Sequence, residues 1–342
     1  MTALKVVRAA ASRVNRAPSV LVGLWIVTLL AALPLMFVVR SEVVSHLGKS
    51  LEADQLASGA NHDWMLEFAE QSSGVTATLT PSVLGFAATL DNLNALIEGG
   101  SRPDAILAVA AGSVLLWTFL SGGIIDRFAR DRATGTHAFF QACGGYLWPL
   151  VRLGVVSAIV YGALLASWRP WLLGTAYDRL TREVSAERTA FAIRLALLAA
   201  VFIPVVICRL IFDYAKVRLV IEDRLSAFGA LRAALGFVGR NWRGALIVFL
   251  CDMAVLALVL LVYFAIAPGA GSTGVSMWLG LIVGQSYLLA RIWAKLLFWA
   301  SAVEWFQHQL AHVGYTSRRA PRWPEPAIVE QIVQPVSPDA AR

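Results

Sequence analysis

Six runs of about 20 apolar residues constrain this chain most, because each can cross a hydrocarbon core at a helical rise of about 1.5 Å per residue. They fall at 20–39, 105–125, 148–168, 192–212, 244–267 and 277–297. The runs are continuous and rich in Leu, Ala and Val, whereas the strands of a membrane barrel alternate apolar and polar positions. Of the 342 residues 58% are hydrophobic and 15% charged. A soluble domain is about 25% charged and has nowhere to bury so much apolar surface. The sequence therefore predicts an all-α fold, a polytopic transmembrane helix bundle of six spans with short interfacial helices and an extracytoplasmic helical loop. The expected segments are a basic cytoplasmic N-terminus (1–19), span one (20–39), the extracytoplasmic loop (40–104), a five-span bundle with cytoplasmic amphipathic helices (105–314) and a disordered cytoplasmic tail (315–342).

The formal charge of +7 does not point to nucleic acid, because the basic residues sit at the ends of apolar runs and in the loops between them. Of the 29 Lys and Arg residues, 18 fall in segments this layout makes cytoplasmic and seven in segments it makes external. That bias has the sign of the positive-inside rule and places both termini in the cytoplasm. A cleaved signal peptide is disfavoured by the length of the first run and by Val39-Arg40-Ser41-Glu42, which offers no small-x-small site. Pro149 is expected in the first turn of span three, where proline is tolerated, and Pro204 is expected to kink span four.

Residues 40–102 of the loop between spans one and two carry eight acids and three basic residues. Val43, Val44, Leu47 and Leu51 recur at helical spacing, as do Trp64 with Phe68 and Leu84, Phe86, Leu90, Leu93 and Leu96. Ser41 and Thr80-Pro81 are plausible helix starts, and Gly99-Gly100 is a break. Short helices are predicted, with apolar faces including Trp64, Phe68, Leu84 and Leu90 docked on the bundle or in the outer interface.

Three even-numbered spans end alike, in Phe128-Ala129-Arg130, Tyr214-Ala215-Lys216 and Trp293-Ala294-Lys295, the first two after Asp126 and Asp213. Aromatic and basic residues cluster at cytoplasmic interfaces generally; the alternative is a set of helical-hairpin repeats, as in many transporters. At the second unit, Asp213-Tyr214-Ala215-Lys216-Val217-Arg218, Glu222-Asp223-Arg224 and the helix 226–238 together resemble a cytoplasmic turn of uncharacterised bacterial six-helix membrane proteins. Similar turns occur in the membrane domain fused to some glycerophosphodiester phosphodiesterases. The resemblance spans about 105–314. It implies the six-helix architecture, a bacterial cytoplasmic (inner) membrane and a connection to lipid, but not phosphodiesterase activity, since the chain has no room for the soluble catalytic barrel.

Asp252 lies in span five, about 12 Å from its cytoplasmic end. A carboxylate there is costly unless it is paired or faces a wet cavity. Arg152, Arg209 and Arg291 lie in the cytoplasmic halves of neighbouring spans and are expected within reach of it. Three arginines against one carboxylate leave positive charge that suits an anionic headgroup or solute; a packing ion pair is the alternative. Gln285, Ser286, Tyr287, Ser157 and Tyr161 add intramembrane polarity, and Gly280-x-x-x-Gly284 permits close helix approach. His308 and His312 are four apart but lack the glutamate of a zinc-protease motif, so no metal is assigned. Cys143, Cys208 and Cys251 show no C-x-x-C spacing. No G-x-S-x-G, P-loop or dinucleotide fingerprint is present, so no catalytic residue and no cofactor is assigned.

The function expected is membrane-embedded binding, transport or assembly without covalent chemistry, directed at an anionic lipid headgroup or small solute. The expected partners are the bilayer, anionic headgroups and other membrane proteins, not nucleic acid. The rival reading is a non-catalytic scaffold for partner proteins. An intramembrane enzyme would need a nucleophile–base pair that the sequence does not show.

Overall fold

The computed structural model describes residues 2–48, 52–58, 61–74, 76, 104–131, 134–267 and 274–310. The helices are α1 (Ala3–Asn15), α2 (Pro18–Leu47), α3 (Glu52–Ser58), α4 (His62–Gln71), α5 (Asp104–Arg130), α6 (Thr136–Ala163), α7 (Tyr177–Thr181), α8 (Glu187–Ile221), α9 (Ala227–Ile266) and α10 (Val275–Gln309). No strand occurs among the described residues. Six helical segments are long and apolar enough to cross a membrane. The fold is an all-α polytopic bundle.

Helices such as α8 and α9, with 35 and 40 residues, exceed the roughly 20 residues a bilayer core needs. The surplus collects at one end of the bundle, and the packed core is there. Val217, Leu219, Ala230, Ala234, Phe237, Ala300, Val303 and Phe306 are all buried in it. This end also carries α1 and the arginines around it, so it is called the basic end below. Further along, only 6% of the apolar window of α2 and 33% of that of α5 is buried. Val114, Ile159, Leu195 and Leu261 point outward. Such faces need an apolar solvent, and a bilayer supplies one.

α1 closes the basic end. Val6, Val7, Ala10 and Val14 recur at helical spacing and are buried, packing on α9 and α10. At the edge of the same face, Arg13 donates to the carbonyl of Phe128 at 2.8 Å and to Gln307 Oε1 at 2.9 Å. It also pairs with Glu304. Gln307 Nε2 donates to the carbonyl of Ala129 at 3.0 Å. These two carbonyls belong to the last turn of α5, which has no intrahelical donors left for them. The segment expected as a basic N-terminus thus contains a docked helix that caps α5.

α5 and α6 form the closest-packed hairpin. A Cβ on Gly123 would fall 2.9 Å from the Phe139 carbonyl and 2.5 Å from Cys143 Sγ. The second hairpin joins α8 to α9. Asp223 takes φ +50 after α8, and the Ser226 hydroxyl accepts from Gly229 N at 3.2 Å to start α9. α9 departs from helical geometry at Asn241, so its amphipathic first part meets the membrane-crossing part at a kink. A Cβ on Gly244, just past that break, would overlap the Trp305 indole.

Several expectations are corrected. Pro149 lies inside α6, not in its first turn, because the amphipathic stretch before span three joins it in one helix. The third apolar segment does not stop at Trp168 but continues to Thr181 through two π-helical stretches, Leu164–Trp168 and Trp171–Ala176. They flank Pro170, which cannot donate a backbone hydrogen bond, and a widened register accommodates the defect. Ser41 starts nothing, because α2 runs unbroken to Leu47; the cap beyond it is Asn61, whose Oδ1 accepts from Trp64 N at 3.0 Å.

α4 buries Trp64, Met65 and Phe68 against Val43 and Leu47 of α2 and Leu56 of α3. The loop's aromatic face therefore folds back on the far end of α2. Thr80-Pro81, Leu84, Leu90, the Gly99-Gly100 pair, Arg102, His312 and the tail 315–342 lie outside the described residues.

Candidate functional site

A cavity of about 530 Å³ opens between five helices. α10 contributes Arg291 and Lys295, four residues apart and therefore on one face. α8 contributes Arg209, α5 Trp117, α2 Thr28, and α9 Phe249, Met253 and Leu256. Arg209 is three residues inside the apolar limit at 212; Arg291 and Lys295 are six and two inside the limit at 297. At helical rise all three cations lie roughly 3–9 Å inside the apolar boundary.

The surroundings fix how each cation is held. Arg209 Nε bonds Asp213 Oδ2 at 2.6 Å, one turn along the same helix, and Lys216 Nζ reaches Asp213 Oδ1 at 3.2 Å. Asp213 is thereby shared between two cations. Lys295 Nζ sits 3.2 Å from the centroid of the Trp117 ring. The Arg291 guanidinium lies over Tyr287 at 5.5 Å, and Tyr287 stacks on Tyr263 at 3.8 Å. Among the described residues no carboxylate lies within ion-pair distance of Arg291 or Lys295. Like charges at i,i+4 destabilise a helix, and uncompensated charge near hydrocarbon is costly. The ring contacts of Lys295 with Trp117 and of Arg291 with Tyr287 offset part of that cost, and an anion in the cavity would offset more.

The structure brings together two of the three arginines expected near Asp252, but around a different centre. Asp252 is buried and accepts a hydrogen bond from Ser301 Oγ at 3.0 Å; among the described residues none of the expected arginines pairs with it. Arg209 has its acid within its own helix, a contact that needs no interhelical reach. Arg152 projects outward over the Trp148 ring at 5.5 Å. Arg209 and Arg291 line the cavity, and Lys295, singled out only as part of the repeat, completes it.

The near-repeat has a packing basis in its small residue. Ala129, Ala215 and Ala294 are all buried, and so are Phe128 and Tyr214. Trp293 is only partly buried and donates to Asn15 Oδ1 at 2.8 Å. Arg130 pairs with Asp126 at 2.9 Å and Lys216 with Asp213; Lys295 has no such acid and turns to Trp117. A basic residue after an aromatic–Ala pair without an acid ahead was the signal that could have found it. Gln285 accepts from Trp25 Nε1 at 2.9 Å, fastening α2 beside the cavity. A Cβ on Gly284 would touch nothing within 4 Å, so this glycine mediates no close approach. His308 stacks on Trp305.

No family model matches the chain, and no solved structure matches it. The chain is similar to a glutamate-1-semialdehyde 2,1-aminomutase of Nitrosomonas europaea, 33% identical over 128 residues, which is 36% of this chain and 28% of that protein. The chain thus spans less than a third of that relative's length.

Proposed function

We propose that this protein binds the anionic headgroup of a lipid, or a small anionic solute, in the cavity between α2, α5, α8, α9 and α10. The observation that carries the reading is the pair Arg291 and Lys295, side by side in a 530 Å³ cavity with no carboxylate partner among the described residues. Guanidinium and ammonium groups bind phosphate and carboxylate through charge-assisted hydrogen bonds, and the low dielectric strengthens them. The aromatic and aliphatic walls, Trp117, Phe249, Met253 and Phe298, suit the apolar part of an amphiphile. The resemblance of the Asp213–Arg218 turn to lipid-associated membrane domains points the same way and rests on those residues alone. The setting that supports this binding is the bacterial cytoplasmic membrane, spanned six times. Both termini are cytoplasmic, so the basic end faces the cytoplasm, in line with the distribution of Lys and Arg.

The test is native mass spectrometry of the full chain in neutral detergent, with added dioctanoyl phosphatidylglycerol, dioctanoyl phosphatidylcholine or inorganic phosphate. Wild type is expected to retain phosphatidylglycerol or phosphate in preference to phosphatidylcholine. Each charge-assisted contact is worth about 1.5–3 kcal/mol, so Arg291→Ala with Lys295→Ala should weaken retention more than tenfold. Preference for phosphate over the lipid would assign a solute. Equal retention of phosphatidylcholine, or retention unchanged in the double variant, would overturn the reading.

A further inference from the structure

A second cleft, of about 250 Å³, lies between α2, α5 and α6. Its lining changes character along the helices. At the basic end it is bounded by Arg16, Ser19, Arg127, Thr134 and Thr136. Two to three turns deeper, its walls are Val27 of α2 and Leu120 of α5. α2 and α5 run in opposite senses past it, so the polar-to-apolar order is the same on both walls.

Arg127 is the unusual member. It is 7% exposed, yet lines the cleft. A guanidinium carries five N–H donors, and the hydrogen bond it makes among the described residues is a long one, Nη2 to the carbonyl of Arg16 at 3.5 Å. The acid nearby, Asp131, forms its ion pair with Arg16 instead, at 3.5 Å. The C-terminal dipole of α5 offsets part of the charge but leaves most of the donors unused. On the facing wall, a Cβ on Gly23 would meet nothing within 4 Å. A glycine that no neighbour approaches, opposite a buried cation, leaves a slot open along α2.

We infer that this cleft is a second binding site, for an anionic phospholipid, with the headgroup phosphate on Arg127 and one acyl chain along Gly23, Val27 and Leu120. The buried guanidinium supplies the anion specificity. The polar-to-apolar gradient distinguishes an amphiphile from a free anion, which would have no use for the deep apolar wall. The site shares no lining residue with the larger cavity and does not rest on it.

The test uses the full chain in nanodiscs containing a trace of phosphatidylglycerol with a diazirine in one acyl chain, photolysed and mapped by peptide mass spectrometry. Adducts on 20–27 and on 120 are expected, at least fivefold above those from the same probe with a phosphatidylcholine headgroup. Gly23→Leu places a side chain in the slot, its Cβ meeting nothing within 4 Å, and should reduce these adducts at least fivefold. Arg127→Gln should abolish the preference for phosphatidylglycerol; if that variant does not fold, Gly23→Leu decides alone. Arg291→Ala with Lys295→Ala should leave these adducts unchanged, which separates this site from the larger cavity. Equal labelling by both headgroups, or labelling indifferent to Gly23→Leu, would overturn the inference.

Discussion

Arg13 of α1 and Glu304 of α10 form an ion pair, with side chains only 15% and 14% exposed, at the closed end of the bundle. It joins the two extremes of the described chain, and the same arginine caps α5 through the Phe128 carbonyl. Removing one partner leaves a charge and several hydrogen-bonding groups without compensation, at a cost of about 1.5–3 kcal/mol. Arg13→Ala is therefore expected to lower the unfolding midpoint in detergent and to expose α1 to protease before the rest of the bundle. Unchanged stability together with unchanged protection of 3–15 would show that α1 is held by its apolar face alone.

Gly123 marks where α5 and α6 come closest. A methyl group there would press on Cys143 Sγ and on the Phe139 carbonyl, which as backbone cannot turn aside. Overpacking of this kind costs about 1–3 kcal/mol. Gly123→Ala should destabilise the protein by that amount, while Gly284→Ala, with no neighbour within 4 Å, should be neutral within about 0.5 kcal/mol. Thermal unfolding of the two variants side by side checks the contrast.

For Asp252 the hydrogen bond from Ser301 replaces the ion pair expected of it. Ser301→Ala removes that donor and should cost about 1–3 kcal/mol. Asp252→Asn keeps an acceptor for the hydroxyl without a charge that needs solvation, and should be neutral or stabilising. Severe destabilisation by Asp252→Asn would mean that the carboxylate has a cationic partner after all.

The proposed orientation is checked by cysteine labelling in a variant with Cys143, Cys208 and Cys251 replaced by alanine. Leu225, 70% exposed between α8 and α9, is the suitable probe for the basic end; Ala230 nearby is fully buried and would not react. Leu225→Cys should react from the cytoplasmic side and Ser41→Cys, on the last turns of α2, from the outside. The reverse pattern would invert the topology.

Composition and run length were enough to determine the six spans, since hydrocarbon solvent leaves an unpaired backbone no alternative to continuous helix. The amphipathic lead-in to α9 and the aromatic face of α4 were also legible, because helical periodicity is local. What a local pattern could not decide is which side chain meets which across helices. Asp252 and three arginines stood at similar depths, but depth says nothing of rotation about the helix axis, and rotation turned Asp252 to Ser301, Arg152 outward, and Arg209 and Arg291 into a common cavity. Lys295 looked like one more interfacial cation until α5 placed Trp117 against it. The apolar spacing of Val6, Val7, Ala10 and Val14 was present in the sequence but short and surrounded by basic residues; only the floor built by α9 and α10 made it a docking face. Whether a helix end is closed or a cation is left without an acid depends on several segments meeting, and that is settled by packing.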